Sequence, residues 1–116
     1  MEKIAQIEIK VIDNAYCSIH MSGEVDINNL DELEKAVAPM IEKKSIKAFV
    51  IDCSNLEFID SKIVGYIAYL HTTLNHSGRT LTIANTNETI NDILTLVGLT
   101  TIIPAFESVD EAIQSL

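Results

Sequence analysis

The 116-residue sequence is short of positive charge: eight Lys and Arg stand against seventeen Asp and Glu, a formal net charge of −9. Binding to a nucleic-acid backbone depends on neutralising phosphates with basic side chains, so the charge argues against direct DNA or RNA binding and favours a basic or weakly charged protein partner. Long hydrophobic runs are lacking as well. No apolar stretch reaches the roughly 20 residues that a spanning helix needs, and Met1-Glu2-Lys3 leads into an alternating pattern and not into a signal peptide. The expected setting is the cytoplasm, with no membrane insertion. Cysteine is scarce: Cys17 and Cys53 each sit in a strand-like apolar stretch with no Cys-x-x-Cys motif, which predicts buried free thiols in a reducing compartment and no disulfide.

Catalytic signatures are missing too. The chain has no Gly-x-Ser-x-Gly elbow and no glycine-rich loop able to cradle a phosphate. His20, His71 and His76 have no metal-ligand spacing among themselves or with the cysteines, so core or surface histidines are expected, with no metal and no cofactor. Asp52 stands near the place of a phospho-receiver's acceptor aspartate, but the acidic pair after strand one and the late Lys-Pro of that family are not found. It reads as a strand-end residue, and the chain as a non-enzyme.

What is present fits a soluble globular fold: 47% of residues are hydrophobic and 22% charged. A chain of this length buries a core without disulfides or metal, and residues 1–116 read as one domain. Ile4, Gln6 and Glu8 interleave with Ala5, Ile7, Ile9 and Val11 in a half-buried strand, and Asp13-Asn14 turns it into a second strand from Tyr16 to Met21. Gly23 to Asn28 reads as a loop. Asn29 and Glu32 mark a helix start, followed by Leu30, Leu33, Val37, Met40 and Ile41 at helical spacing, with a kink or early end expected near Ala38 because Pro39 removes a hydrogen bond. Lys43-Lys44 suits its C-terminus.

The most informative stretch runs from Ala48 to Leu70. Ala48-Phe49-Val50-Ile51 is a short apolar run with the pattern of a central strand covered on both faces, ended by Asp52. From Ile63 the period changes, and Ile63, Ile67, Leu70 and Leu74 fall on one face of a helix, opposite Lys62, Gly65, Tyr69, Thr72, Thr73 and His76. Ser54 to Ser61 reads as the connecting loop, in which Asp60 or Ser61 caps the helix. Further on, Gly78 closes that helix, Thr80 to Ala84 is a strand, and Asn87 caps a helix that ends at Gly98. Thr101 to Ile103 reads as a last strand, at an edge because of Pro104. Ser108 and Glu111 form a capping box for a final helix that packs Val109, Ala112, Ile113 and Leu116 on the sheet.

A hairpin followed by strand–helix repeats gives an α/β fold: a mixed, mostly parallel sheet of about five strands with about four helices. In such sheets ligands and partners engage beyond the carboxyl ends of the strands, which places Ser61 on the rim of that crevice. Gly65, on the outward helix face, costs about 1 kcal/mol relative to Ala, which suits close approach of another backbone. Tyr69 on the same face reads either as a partner anchor or as an ordinary exposed aromatic.

Two segments carry a family resemblance. Gly23-Glu24-Val25-Asp26, together with Asp60, Ser61 and Gly65 at the helix start, resembles the STAS family of anti-sigma-factor antagonists. Its members carry Gly-Glu-Leu/Val-Asp after strand two and Asp-Ser-Ser/Thr-Gly-Leu-Gly after strand three. Lys62 stands where a second Ser or Thr is usual, and Ile63 where the first Gly is usual. The resemblance spans nearly the whole chain and implies a STAS-like single domain. It further implies that Ser61 is the phosphorylation switch and that Asp26 contacts the partner, although Asp in a loop before a helix also reads as turn chemistry; Asp60, Ser61, Lys62, Gly65 and Tyr69 are the candidate partner-binding residues beside it. The implied partners are an anti-sigma-factor serine kinase and a PP2C-type phosphatase, with monomer or weak dimer both open. The alternative it allows is an interaction subunit of a larger signalling or membrane transport complex with no serine switch.

Overall fold

Alternation at the start of the chain builds a hairpin. β1 (Gln6–Ile12) and β2 (Tyr16–Val25) pair antiparallel with Ile9 opposite Ile19. Asp13 and Asn14 take φ of 54° and 56° at the turn between them, a left-handed conformation in which Asn and Asp are enriched among non-glycine residues. The computed structural model describes residues 4–116; the reading of Met1-Glu2-Lys3 lies outside the described residues.

From β2 the chain crosses through α1 (Leu30–Glu42) to β3 (Ala48–Ile59), through α2 (Ser61–His76) to β4 (Thr80–Ala84), and through α3 (Glu88–Leu96) to β5 (Ala105–Phe106), before ending in α4 (Val109–Gln114). The sheet order is β1-β2-β3-β4-β5, with every pairing after the hairpin parallel. This is the mixed α/β architecture expected. One face carries the core. Cys17, Ile19 and Met21 of β2, Phe49, Ile51 and Cys53 of β3, and Leu81 and Ile83 of β4 pack against Leu33 and Val37 of α1 and Ile63, Ile67, Leu70 and Leu74 of α2. Each such aliphatic side chain contributes about 1.5–3 kcal/mol by leaving water. The opposite face holds a smaller cluster, Val50, Ala84 and Ala112 with Phe106, Val109 and Ile113, beneath α4.

The structure corrects several boundaries. β3 does not end at Asp52: the expected loop from Ser54 is strand as far as Ile59, and Gly23–Val25 continues β2. The cause is visible in the register. Between His20↔Asp52 and Ser22↔Asn55, and again between Gly23↔Leu56 and Glu24↔Phe58, β3 advances one residue more than β2. Each such bulge shifts the side-chain phase, so Leu56 and Ile59 are both buried although three residues apart. A period of two is broken there, and the sequence looks irregular.

α1 passes through Pro39 to Glu42 and does not end near Ala38. Pro39 and Lys35 both lie on the exposed side of the helix, where a carbonyl without its amide donor costs least. Asn29 holds the N-cap position of α1 as expected but makes no side-chain capping bond to it; its side chain accepts from the Asp26 amide instead. Asp26 caps a short 3-10 turn, Ile27–Asn29, that leads into α1. The last strand lies after Pro104, at Ala105–Phe106, because Thr101 belongs to a 3-10 turn entered through Gly98 at φ 82°. It is an edge strand as expected. In α4, Ser108 accepts from the Glu111 amide, but Glu111 reaches the Glu107 amide and not that of Ser108. Leu116 is 49% exposed, less covered than the other three, and lies near Tyr16, Ala48 and Thr80 where the strands begin.

Candidate partner-binding site

At the end of β3 the chain turns into α2, and Asp60 makes the turn. Its extended backbone (φ −95°, ψ −178°) lets one carboxylate oxygen accept from the Lys62 and Ile63 amides, each at 3.1 Å, which satisfies two of the donors a helix start leaves unpaired. The other oxygen accepts from the Ile27 amide at 2.9 Å. One side chain thus caps α2 and ties it to the loop after β2, which joins the two segments the sequence singled out. Of the two candidate caps, Asp60 takes the role and Ser61 does not. Ser61 is the first residue of α2, exposed, and its hydroxyl makes no hydrogen bond with the described residues.

Around Ser61 the other candidate residues occupy different positions. Asp26 is half-buried and accepts from the Asn28 amide at 2.9 Å, while its own amide donates to Asn29 at 3.0 Å; its carboxylate does turn chemistry. Lys62 is exposed and makes no ion pair among the described residues. Gly65 is exposed, and a Cβ built on it meets nothing within 4 Å, so no approach within this chain accounts for the glycine. Tyr69 is 60% exposed, its ring 6.0 Å from that of Tyr66. Tyr66, unremarked in the sequence, is buried, and burial pushes its phenol well up. At 100° per residue Ser61, Gly65, Tyr69 and Thr72 share the outward side of α2.

Two apolar residues escape sequence reasoning. Ile27, bonded through its amide to Asp60, is 53% exposed, and Phe58, two residues before Asp60, is 43% exposed. The sequence places Phe58 in a connecting loop; in the structure it lies in β3, on the phase opposite to the buried Phe49, Ile51, Cys53 and Ile59. Ser61 and Tyr69 share the outward side of α2 with Ile27 held beside the helix start by Asp60, whereas Phe58, next to the inward-facing Ile59, points to the sheet face away from α2. Ile27 and Tyr69 are the type of aliphatic and aromatic anchors that interface cores use.

A second polar group lies on the sheet face away from α1 and α2. Asp52 accepts from Asn85 at 2.9 Å and from the Ser54 amide at 3.1 Å, and lies 3.0 Å from His20 Nδ1. Burial raises its carboxyl pKa, but the hydrogen bonds from Asn85, His20 and Ser54 outweigh that and hold it below the usual carboxylate value. Asn85 adopts φ 60° to make its bond. Asp52 is thus a mid-strand cross-link between β2, β3 and the end of β4, which only the folded register reveals. Among the described residues no group of His, Cys, Asp and Glu could hold a metal ion, and both cysteines are free and buried as expected. No helix among the described residues is long and apolar enough to cross a membrane.

Comparison with known proteins is consistent with this geometry. The family model for the STAS domain matches residues 6–112. The anti-sigma F factor antagonist of Paenibacillus polymyxa is 24% identical over 98 residues, covering 84% of each chain. The anti-sigma factor antagonist SpoIIAA in its unphosphorylated form superposes with a TM-score of 0.83 at 17% identity, over 95% of both chains. The Bacillus cell fate determinant SpoIIAA in the phosphorylated form gives 0.76 at 17% identity, over 95% of this chain and 98% of that one.

Proposed function

Because the chain belongs to the STAS domain family, we propose that it acts as an anti-sigma-factor antagonist whose partner-binding state is set by phosphorylation of Ser61. In this reading the unmodified protein binds an anti-sigma-factor serine kinase through the surface formed by Ile27, Ser61 and Tyr69. Transfer of the ATP γ-phosphoryl group to the Ser61 oxygen releases it, and hydrolysis by a PP2C-type phosphatase resets it. Transcription is regulated indirectly, in keeping with the net charge of −9. The setting is the cytoplasm, where the kinase and its sigma factor work.

One observation carries the proposal: Asp60 performs the capping that would otherwise occupy Ser61, leaving an exposed, unbonded hydroxyl at the start of a sixteen-residue helix. A phosphate there gains from the helix dipole but meets Asp60 and, nearby in sequence, Glu57. The helix keeps its cap, so the fold persists. A docked partner does not: burying a dianion against an interface costs about 2–5 kcal/mol, or roughly 30- to several-thousand-fold in affinity. Lys62, where the family usually has Ser or Thr, offers a counter-charge that moderates the effect.

The test is incubation with an anti-sigma-factor serine kinase and ATP, read by intact-mass and peptide mass spectrometry on wild type and Ser61→Ala. One added phosphate that vanishes in Ser61→Ala is the expected result. No phosphate across several such kinases, with the protein folded, or full partner retention by Ser61→Asp, would leave a non-switching interaction domain.

A further inference from the structure

β1 is an edge strand. β2 occupies one side, and among the described residues no strand pairs with the other. A free edge of backbone N–H and C=O groups is a template for a further strand, and proteins usually blunt it with bulges, proline or charge. Here the pairing with β2 runs from Gln6 to Ile12 without irregularity, and the strand contains neither proline nor glycine. Val11 is 41% exposed. The remaining protection is charge, and that charge is balanced within the strand.

The order Gln6-Ile7-Glu8-Ile9-Lys10-Val11-Ile12 is self-complementary. Two copies laid antiparallel about a two-fold axis at Ile9 bring Ile9 opposite its counterpart, Ile7 opposite Val11 and Gln6 opposite Ile12. Glu8 then faces Lys10 twice. Both side chains are exposed, and directly opposite residues of an antiparallel pair share a face with Cβ atoms about 4.5–5.5 Å apart. A two-fold axis perpendicular to the sheet must pass through a residue pair, so the neighbouring registers are centred on Glu8 or Lys10. Each of those sets two like charges against each other. The charges thus disfavour both neighbouring registers, and the register about Ile9 is the one that pairs Glu8 with Lys10 and uses the whole strand.

We propose that the outer edge of β1 is a homodimer interface, in which two copies of this chain pair antiparallel about Ile9 and merge two five-stranded sheets into one. The axis keeps the helices of both copies on the same side. It also points the parallel strands of the two copies in opposite directions, which leaves the two Ser61 faces at opposite ends and open.

The experiment is light scattering coupled to size exclusion on the full chain from micromolar to millimolar concentration. Wild type is expected to shift from monomer to dimer as concentration rises. Glu8→Lys and Lys10→Glu each replace two attractive pairs with two repulsive ones and are expected to weaken the dimer by about tenfold or more; E8K/K10E restores it. Both positions are exposed, so circular dichroism is expected to match wild type throughout. A monomer at every concentration, or a dimer indifferent to both single reversals, overturns the proposal.

Discussion

Asp60 holds three backbone amides, those of Lys62, Ile63 and Ile27, so its removal has a structural effect that loss of Ser61 does not. Asp60→Ala is expected to lower stability by about 1–2 kcal/mol, while Ser61→Ala stays within about 0.5 kcal/mol of wild type, both measured by urea denaturation. Gly65 separates folding from binding in the other direction. With open space around its Cβ position, Gly65→Ala is expected to stabilise the helix by about 1 kcal/mol. If a partner's backbone docks at Gly65 as proposed, the added methyl is expected to weaken capture in a pull-down against an anti-sigma-factor serine kinase. A gain in stability with unchanged capture would make Gly65 a tolerated residue and nothing more.

Among the elements, the β2–β3 pair beyond Asp52 depends on Gly23. Its φ is +75°, and a Cβ there would lie 2.5 Å from the Ile4 carbonyl oxygen. Gly23→Ala combines backbone strain with a clash against main chain and is expected to cost about 1–3 kcal/mol, seen as a lower denaturation midpoint with Ser61 unchanged. The same segment marks the limit of what the sequence discloses. α2, β4 and α3 were legible because helical spacing, Asn87 and the glycines after each helix are local signals. The outer half of β3 was not, since two bulges break its alternation and its strand partner among the described residues is β2, with partners such as Ser22 and Asn55 far apart in sequence. The site was half legible: the motif placed Asp60, Ser61 and Gly65, but Ile27 joins them only through a bond to Asp60 across 33 positions. The Asp52 cross-link was invisible for the same reason, being assembled from three strands.

At the level of the whole molecule, pH acts through groups held by the fold. Asp52 has a depressed carboxyl pKa, so its contribution is complete above the ordinary carboxylate value of about 3.9 and fades as pH falls through the lower folded value. Denaturation midpoints are expected to drop below about pH 4, and to drop less in Asp52→Asn. The thiols act at the other end. Burial pushes Cys17 up to about 11, and burial together with the Asp52 charge pushes Cys53 up to about 12. An unfolded thiol ionises near 8.5, so stability is expected to decline as pH rises from about 8.5 through those folded values, and the decline to flatten in C17A/C53A. β4 pairs with β3 only as far as Asp52, while β2 and β3 run on together to Val25 and Ile59. The Ser61 end of the molecule therefore stands on a two-stranded section of sheet whose Val25, Leu56 and Ile59 still belong to the main core. Because Val25, Leu56, Ile59 and Ile63 are buried together there, that end can be lengthened or tilted only by repacking the core, and the surface around Ser61 is presented at a fixed position.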